Sequence, residues 1–168
     1  MRFNVRSVMM WVGGVLGMAG VAFAQTQWVA YTSQDYGITM LVPDIEHCTT
    51  SEEGSVGHLA CRYPEGLSVD VYGSAEAIGL AELRREAAAR APGVPQSAWQ
   101  WRAIHDGQNG YRLAETWSAH GGGRTVIGLI GQSARRTMSH VVFVSGSDAA
   151  LQRHQASVRL FINSIHAL

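Results

Sequence analysis

Two apolar runs dominate the hydrophobic pattern: Val126, Ile127, Leu129 and Ile130, then Val141, Val142, Phe143 and Val144. They are rich in β-branched residues and predict strands over Arg124–Gln132 and Arg136–Ser145, joined by a polar turn at Ser133–Arg135. Gln108–Ala119 precedes them as a third strand and runs into a triple glycine, Gly121–Gly123. These strands belong at the centre of an antiparallel sheet. Ser97–His105 alternates as well, with Trp99, Trp101 and Ala103 on one face against Gln100, Arg102 and Ile104. Asp106-Gly107 and Asn109-Gly110 are both tight-turn signals for the hairpin that follows.

Nearer the N-terminus, Trp28–Tyr31 is a short apolar run able to start the sheet, and Gly37–Val42 is a strand stopped by Pro43. Asp44–Gly57 is polar and reads as a loop. His58–Tyr63 and Leu67–Tyr72 are strands separated by the turn Pro64-Glu65-Gly66. Helical spacing appears twice. Leu80, Leu83, Ala87 and Ala91 share a face, with Ser74 as the cap, Glu86–Arg90 as an i,i+4 pair and Pro92-Gly93 as the stop. Leu151, His154, Val158, Phe161, Ile165 and Leu168 form a second seam after a cap at Ser147-Asp148. Strand clusters joined by short turns, with two amphipathic helices, give an α+β fold. It is a single domain with an antiparallel sheet of about six to eight strands and two packed helices.

Composition adds a compartment. Residues 1–24 have a basic start (Arg2, Arg6), an apolar run Val8–Val21 and an Ala22-Phe23-Ala24 cleavage signal before Gln25. That is the pattern of a secretory signal peptide, too short in its apolar part for a membrane span of ~20 residues. The domain is therefore 25–168, periplasmic or extracellular, and not an integral membrane protein after cleavage. All 13 basic residues are Arg; without Arg2 and Arg6, 11 face 13 acidic residues. No basic excess points to nucleic acid. The two cysteines, Cys48 and Cys61, suit a disulfide in an exported chain. A metal site with His47 and His58 is the alternative, but a C-x₂₋₄-C pair is missing.

In this order of elements the chain resembles the PsbP/Mog1/DcrB-like domains. The resemblance rests on Tyr36-Gly37-Ile38-Thr39 through Pro43, on the helix Leu80–Ala91, on Asn109-Gly110-Tyr111-Arg112-Leu113 followed by Gly122-Gly123, and on Phe161-Ile162-Asn163-Ser164-Ile165. It implies a central antiparallel sheet with helices on its faces. It also implies a non-enzymatic binding or assembly role, and it transfers no binding residue.

Candidate chemistry centres on Glu115. Alternation puts it on one face with Tyr111, Leu113 and Trp117, where a carboxylate would be pushed toward its protonated form and act as an acid or base. Alternatively it pairs with an arginine of an adjacent strand, Arg102 or Arg124 being nearest in sequence. Trp99, Trp101 and Trp117 either pack under a helix or form an aromatic binding surface. Glu115, Trp99, Trp101, Trp117, Arg102 and Arg124 are thus the candidate binding residues; no catalytic, metal or cofactor set is assigned. The seven histidines lack H-E-x-x-H or H-x-H spacing. Gly121–Gly123 precedes a strand, not a helix, so it reads as a hairpin turn and not as a phosphate loop. Three functions follow as expectations. The first is an exported non-enzymatic binding or assembly module for a protein or small ligand. The others are a periplasmic immunity or inhibitor protein, and a small secreted hydrolase using Glu115 and a histidine.

Overall fold

The structure, a computed structural model, describes residues 28–168 apart from 65, 92 and 105–107. The expected signal peptide, His105 and the Asp106-Gly107 turn lie outside the described residues. Seven strands form one antiparallel sheet. In chain order they are β3 (Cys48–Glu53), β4 (Val56–Arg62), β5 (Ser68–Ser74), β6 (Trp99–Ile104), β7 (Tyr111–Gly121), β8 (Arg124–Ser133) and β9 (Ser139–Ser147). In space the order is β3-β4-β5-β9-β8-β7-β6, so the two apolar runs, now β8 and β9, sit inside the sheet. A second sheet has three strands, β1 (Trp28–Ser33), β2 (Ile38–Pro43) and β10 (His166–Ala167), in the order β1-β2-β10. The three α-helices are α1 (Leu80–Arg90), α2 (Asp148–Arg153) and α3 (Gln155–Ser164).

The large sheet buries both faces, as its near-continuous apolar centre requires. Helix α1 lays Leu83 and Ala87 on one face, over Val126, Ile130, Val141, Phe143 and Trp117. The other face is covered by the small sheet through Ile38, Met40 and Val42, and by α2 and α3 through Leu151, Val158 and Phe161. Each fully buried aliphatic side chain here contributes about 1.5–3 kcal/mol of burial free energy.

Several sequence expectations change. Asp44–Gly57 is not all loop, because Cys48–Glu53 is a strand paired with β4. It lies at the sheet's edge with mostly exposed side chains, so no apolar alternation marks it. Cys48 and Cys61 are direct cross-strand partners, joined by a disulfide with Cα atoms 4.0 Å apart. Trp28–Tyr31 begins the small covering sheet and not the large one. Ser74 does not cap α1; it stays in β5 opposite Ser139, and the helix begins at Leu80 after Gly79. The link between them is held by Ser139, whose hydroxyl accepts from the Ile78 amide at 2.8 Å and donates to the Glu76 carbonyl at 2.8 Å. Ser147 does cap α2, accepting from the Ala150 amide. The expected single C-terminal helix breaks at His154 (φ −104°, ψ 19°), and its last residues instead pair with β2.

Several of the described glycines are set by close approach, Gly73 and Gly128 among them. The Tyr36 side chain lies against Gly73, where a Cβ would come within 2.7 Å of the Tyr36 Cβ and 2.9 Å of its ring. Gly128 lies beneath Trp117, where a Cβ would come within 2.6 Å of Nε1.

Candidate functional site

Register decides which candidate residues meet. Glu115 lies opposite Ala103 on β6 and Ile130 on β8; Trp117 lies opposite Trp101 and Gly128; Ala119 lies opposite Trp99. Glu115, Trp117, Trp99 and Trp101 therefore share the face under α1. Trp99 stacks on Trp117 with centroids 4.4 Å apart, and Trp101 is 5.5 Å from Trp99 and 5.7 Å from Trp117. Trp99 and Trp117 are buried, whereas Trp101 is half-buried. The Trp117 indole N–H is buried without a hydrogen-bond partner.

Glu115 is 6% exposed. Its partner is neither Arg102 nor Arg124 but Arg84 of α1. The guanidinium donates from Nε to Oε2 at 2.7 Å and from Nη2 to Oε1 at 2.5 Å. This forked pair raises the Arg84 pKa, chiefly through the hydrogen bonds to Glu115. The same guanidinium lies 5.2 Å from the Trp101 ring centroid. Helix, edge strand and tryptophans are thereby clamped together. With both its oxygens engaged, Glu115 is held as a structural acceptor and not poised as a free base.

Arg102 is on the opposite face by alternation, in register with Thr116. Arg124 starts β8 opposite Gly121 and Ser147, far along the strand from Glu115. The candidate residues thus divide: four share the α1 face, Arg102 faces the other way, and Arg124 stands apart.

On Arg102's face the covering layer stops short. Helix α2 packs on β9 and β8 and α3 packs on β2, and the flank of α3 faces the β7–β6 end without covering it. Between them lies a groove of about 540 Å³. Its sheet wall carries Gln100, Arg102, Thr116, Ser118 and Ile127, and its helix wall carries Gln155, Val158, Arg159, Ile162 and Asn163. Arg102 and Arg159 are exposed and make no side-chain hydrogen bond or ion pair among the described residues. Among the described residues no carboxylate lines the groove.

Among the described residues the histidines do not converge on Glu115. His140 lies next to Val141 in β9 and faces the small sheet, its Nε2–H donating to the Tyr36 carbonyl at 2.6 Å. Burial lowers its pKa to about 4. Its Nδ1 and the Tyr111 hydroxyl, edge-on nearby, are buried without partners. His120 is likewise on the face away from Glu115. Its Nδ1 bonds Thr125 Oγ1 at 2.7 Å, and that hydroxyl donates to Asp148 at 2.6 Å, tying the β7–β8 hairpin to the start of α2. His58 joins the buried Asp70 at 2.9 Å, with Arg62 donating to both carboxylate oxygens. His58, on β4, is four strand positions from β7, roughly 19 Å at the usual strand spacing. Among the described residues no histidine bonds Glu115, so the acid–base pair a hydrolase would need is not assembled there. Also among the described residues, no group of three His, Cys, Asp or Glu is placed to hold a metal ion. No described helix is long and apolar enough to cross a membrane. Gly122 and Gly123 have positive φ (59° and 73°) and form the two-residue β7–β8 turn, as the triple glycine suggests.

Sequence reasoning missed Arg84 and the helix wall of the groove. The second had a signal: Gln155, Arg159 and Asn163 recur every four residues beside the apolar seam.

No family model matches the chain, and no curated protein matches it significantly. Solved structures do. Cyanobacterial PsbP (CyanoP) from Synechocystis sp. PCC 6803 superposes with a TM-score of 0.53 at 13% identity, covering 91% of this chain and 99% of that one. The Saccharomyces cerevisiae Ran-binding protein Mog1p gives 0.48 at 11% identity over 85% of this chain and 96% of its own. LpqN of Mycobacterium tuberculosis, described as involved in cell envelope biogenesis, gives 0.43 at 16% identity over 83% and 90%. The chain has a PsbP-like fold, a conclusion that rests on the first of these.

Proposed function

We propose that this chain is an exported, non-catalytic binding module that takes its ligand in the groove between α3 and the β6–β8 end of the sheet. The observation that carries the reading is the groove itself: a concave site of about 540 Å³ with two unpaired guanidiniums at its walls. That volume lies within the ordinary range of about 300–1,000 Å³ for ligand sites. Export is supported by the signal pattern of residues 1–24 and by the Cys48–Cys61 disulfide, a bond favoured in oxidising compartments. In this reading Arg102 contacts ligand directly. Glu115, Trp99, Trp101 and Trp117 act on the opposite face, holding β6 in place through Arg84 and their own stacking. Arg124, at the far end of β8, is not needed for it.

Two measurements test the reading. The full chain, expressed in a Gram-negative host, is expected in the periplasmic fraction with Gln25 as its first residue. An uncleaved cytoplasmic product overturns export. Native mass spectrometry of that protein is expected to show a retained ligand mass that Ser118→Trp, which fills the groove, abolishes. A folded Ser118→Trp protein with the same spectrum overturns the groove's role.

A further inference from the structure

The groove is graded from cationic to apolar, and the gradient follows from strand register. Row by row, Gln100 is opposite Ser118, which is opposite Ile127; Arg102 is opposite Thr116, which is opposite Leu129. From the β6 edge inward, the floor therefore passes from amide and guanidinium, through hydroxyls, to aliphatic carbon. Two strand spacings, about 10 Å, separate the ends of each row. The helix wall repeats the order. Gln155, Arg159 and Asn163 are exposed, whereas Leu151 and Val158 are buried and Ile162 partly so. Arg102 and Arg159 thus stand at the mouth on facing walls, with an apolar interior behind them.

We infer that the groove binds a single-chain amphiphile with a carboxylate head: an apolar tail against Ile127, Val158 and Ile162, and the head between Arg102 and Arg159. This rests on the binding-module reading above. Three features select that class. Among the described residues the mouth has two unpaired positive charges and no lining carboxylate, so a cationic or zwitterionic head meets no partner there. A guanidinium's planar fork matches a carboxylate two bonds at a time. The remaining mouth groups, Gln155 and Asn163, are neutral donors suited to a singly charged head, while an all-polar ligand would leave the aliphatic floor uncompensated.

The test is titration of the purified protein with dodecanoate, dodecyl phosphate, dodecyl maltoside and dodecyltrimethylammonium. All are kept below their micellar concentrations and read by calorimetry and amide chemical-shift mapping. Dodecanoate is expected to bind one to one, with shifts at Thr116, Ser118, Ile127 and α3, and about tenfold or more tighter than the maltoside or the ammonium compound. Arg102→Gln and Arg159→Gln are each expected to weaken it about tenfold without changing the thermal midpoint, because both side chains are exposed and unpaired. Ser118→Trp is expected to abolish it. The maltoside binding as well as dodecanoate, or both arginine variants binding normally, overturns the inference. Dodecyl phosphate binding more than tenfold tighter overturns the carboxylate assignment. Absence of dodecanoate binding overturns the inference too. If the exported protein then still retains a mass that Ser118→Trp removes, the binding-module reading stands alone; if it does not, both fall.

Discussion

A carboxylate that is 6% exposed costs free energy unless its oxygens are bonded, and Arg84 supplies both bonds to Glu115. Arg84→Met is therefore expected to destabilise the fold by about 1–3 kcal/mol in urea titrations. This is less than for a fully buried pair, because the Arg84 side chain is 46% exposed. Adding Glu115→Gln to Arg84→Met should recover much of the loss, since a neutral amide is cheaper to bury. Glu115 was legible as an anomaly from alternation alone, but its partner was not. Strand neighbours follow from hairpin spacing, whereas the helix residue over a given strand position depends on how α1 docks. Gly128 makes a second residue-scale prediction: Gly128→Ala forces Trp117 out of its stack with Trp99, costing about 1–3 kcal/mol and altering near-UV circular dichroism. His140 gives a pH dependence. Its folded pKa, about 4, is below the value of 6.5 that an unperturbed histidine has. The unfolded chain therefore takes up the proton first as pH falls. The stability from burying neutral His140 is complete above about pH 6.5 and is lost progressively toward pH 4, by about 3 kcal/mol. Urea midpoints from pH 7 to 4 should fall more steeply in the native protein than in His140→Gln.

Among the elements, β3 and the C-terminal helix show how legibility depends on what a segment buries. The strands β8 and β9 bury almost every residue, and their β-branched density reveals them. Strand β3 buries almost nothing; it is held by the ladder to β4 and by Cys48–Cys61, neither of which leaves a periodic trace. The disulfide was legible from cysteine count and compartment, and its role is to fasten this weak edge. Reduction is expected to lower stability by about 3 kcal/mol for a closure of 13 residues and to raise amide exchange first in β3. The seam Leu151, Val158, Phe161 and Ile165 was readable because all four are buried. The break at His154 was not, since a one-residue kink hardly disturbs a spacing of three or four. That kink orients α3 separately from α2, and with it the wall that carries Arg159.

For the whole molecule, the unequal cover on the two sheet faces is what opens a site. Alternation placed Trp99 with Trp101 and Glu115 with Trp117, so the aromatic set was found before its surroundings were known; it misplaced Tyr111, which the β-bulge between Tyr111 and Leu113 turns to the other face. It did not predict where the cover ends, because that depends on β1 and β2 leaving the large sheet to form a layer of their own. The covering layer is completed by the last residues: His166–Ala167 pair with β2, and the Leu168 amide donates to the Gly37 carbonyl at 2.8 Å. Deleting residues 165–168 removes fully buried Ile165 as well, and is expected to cost about 2–5 kcal/mol and to expose β2 amides to exchange. The pairing also has a temporal meaning. The small sheet takes its first two strands from residues 28–43 and its third from residues 166–167, so it closes only when segments far apart in sequence meet. Such a long-range closure is slow to find, so the covering layer is expected to lock only after the large sheet has formed.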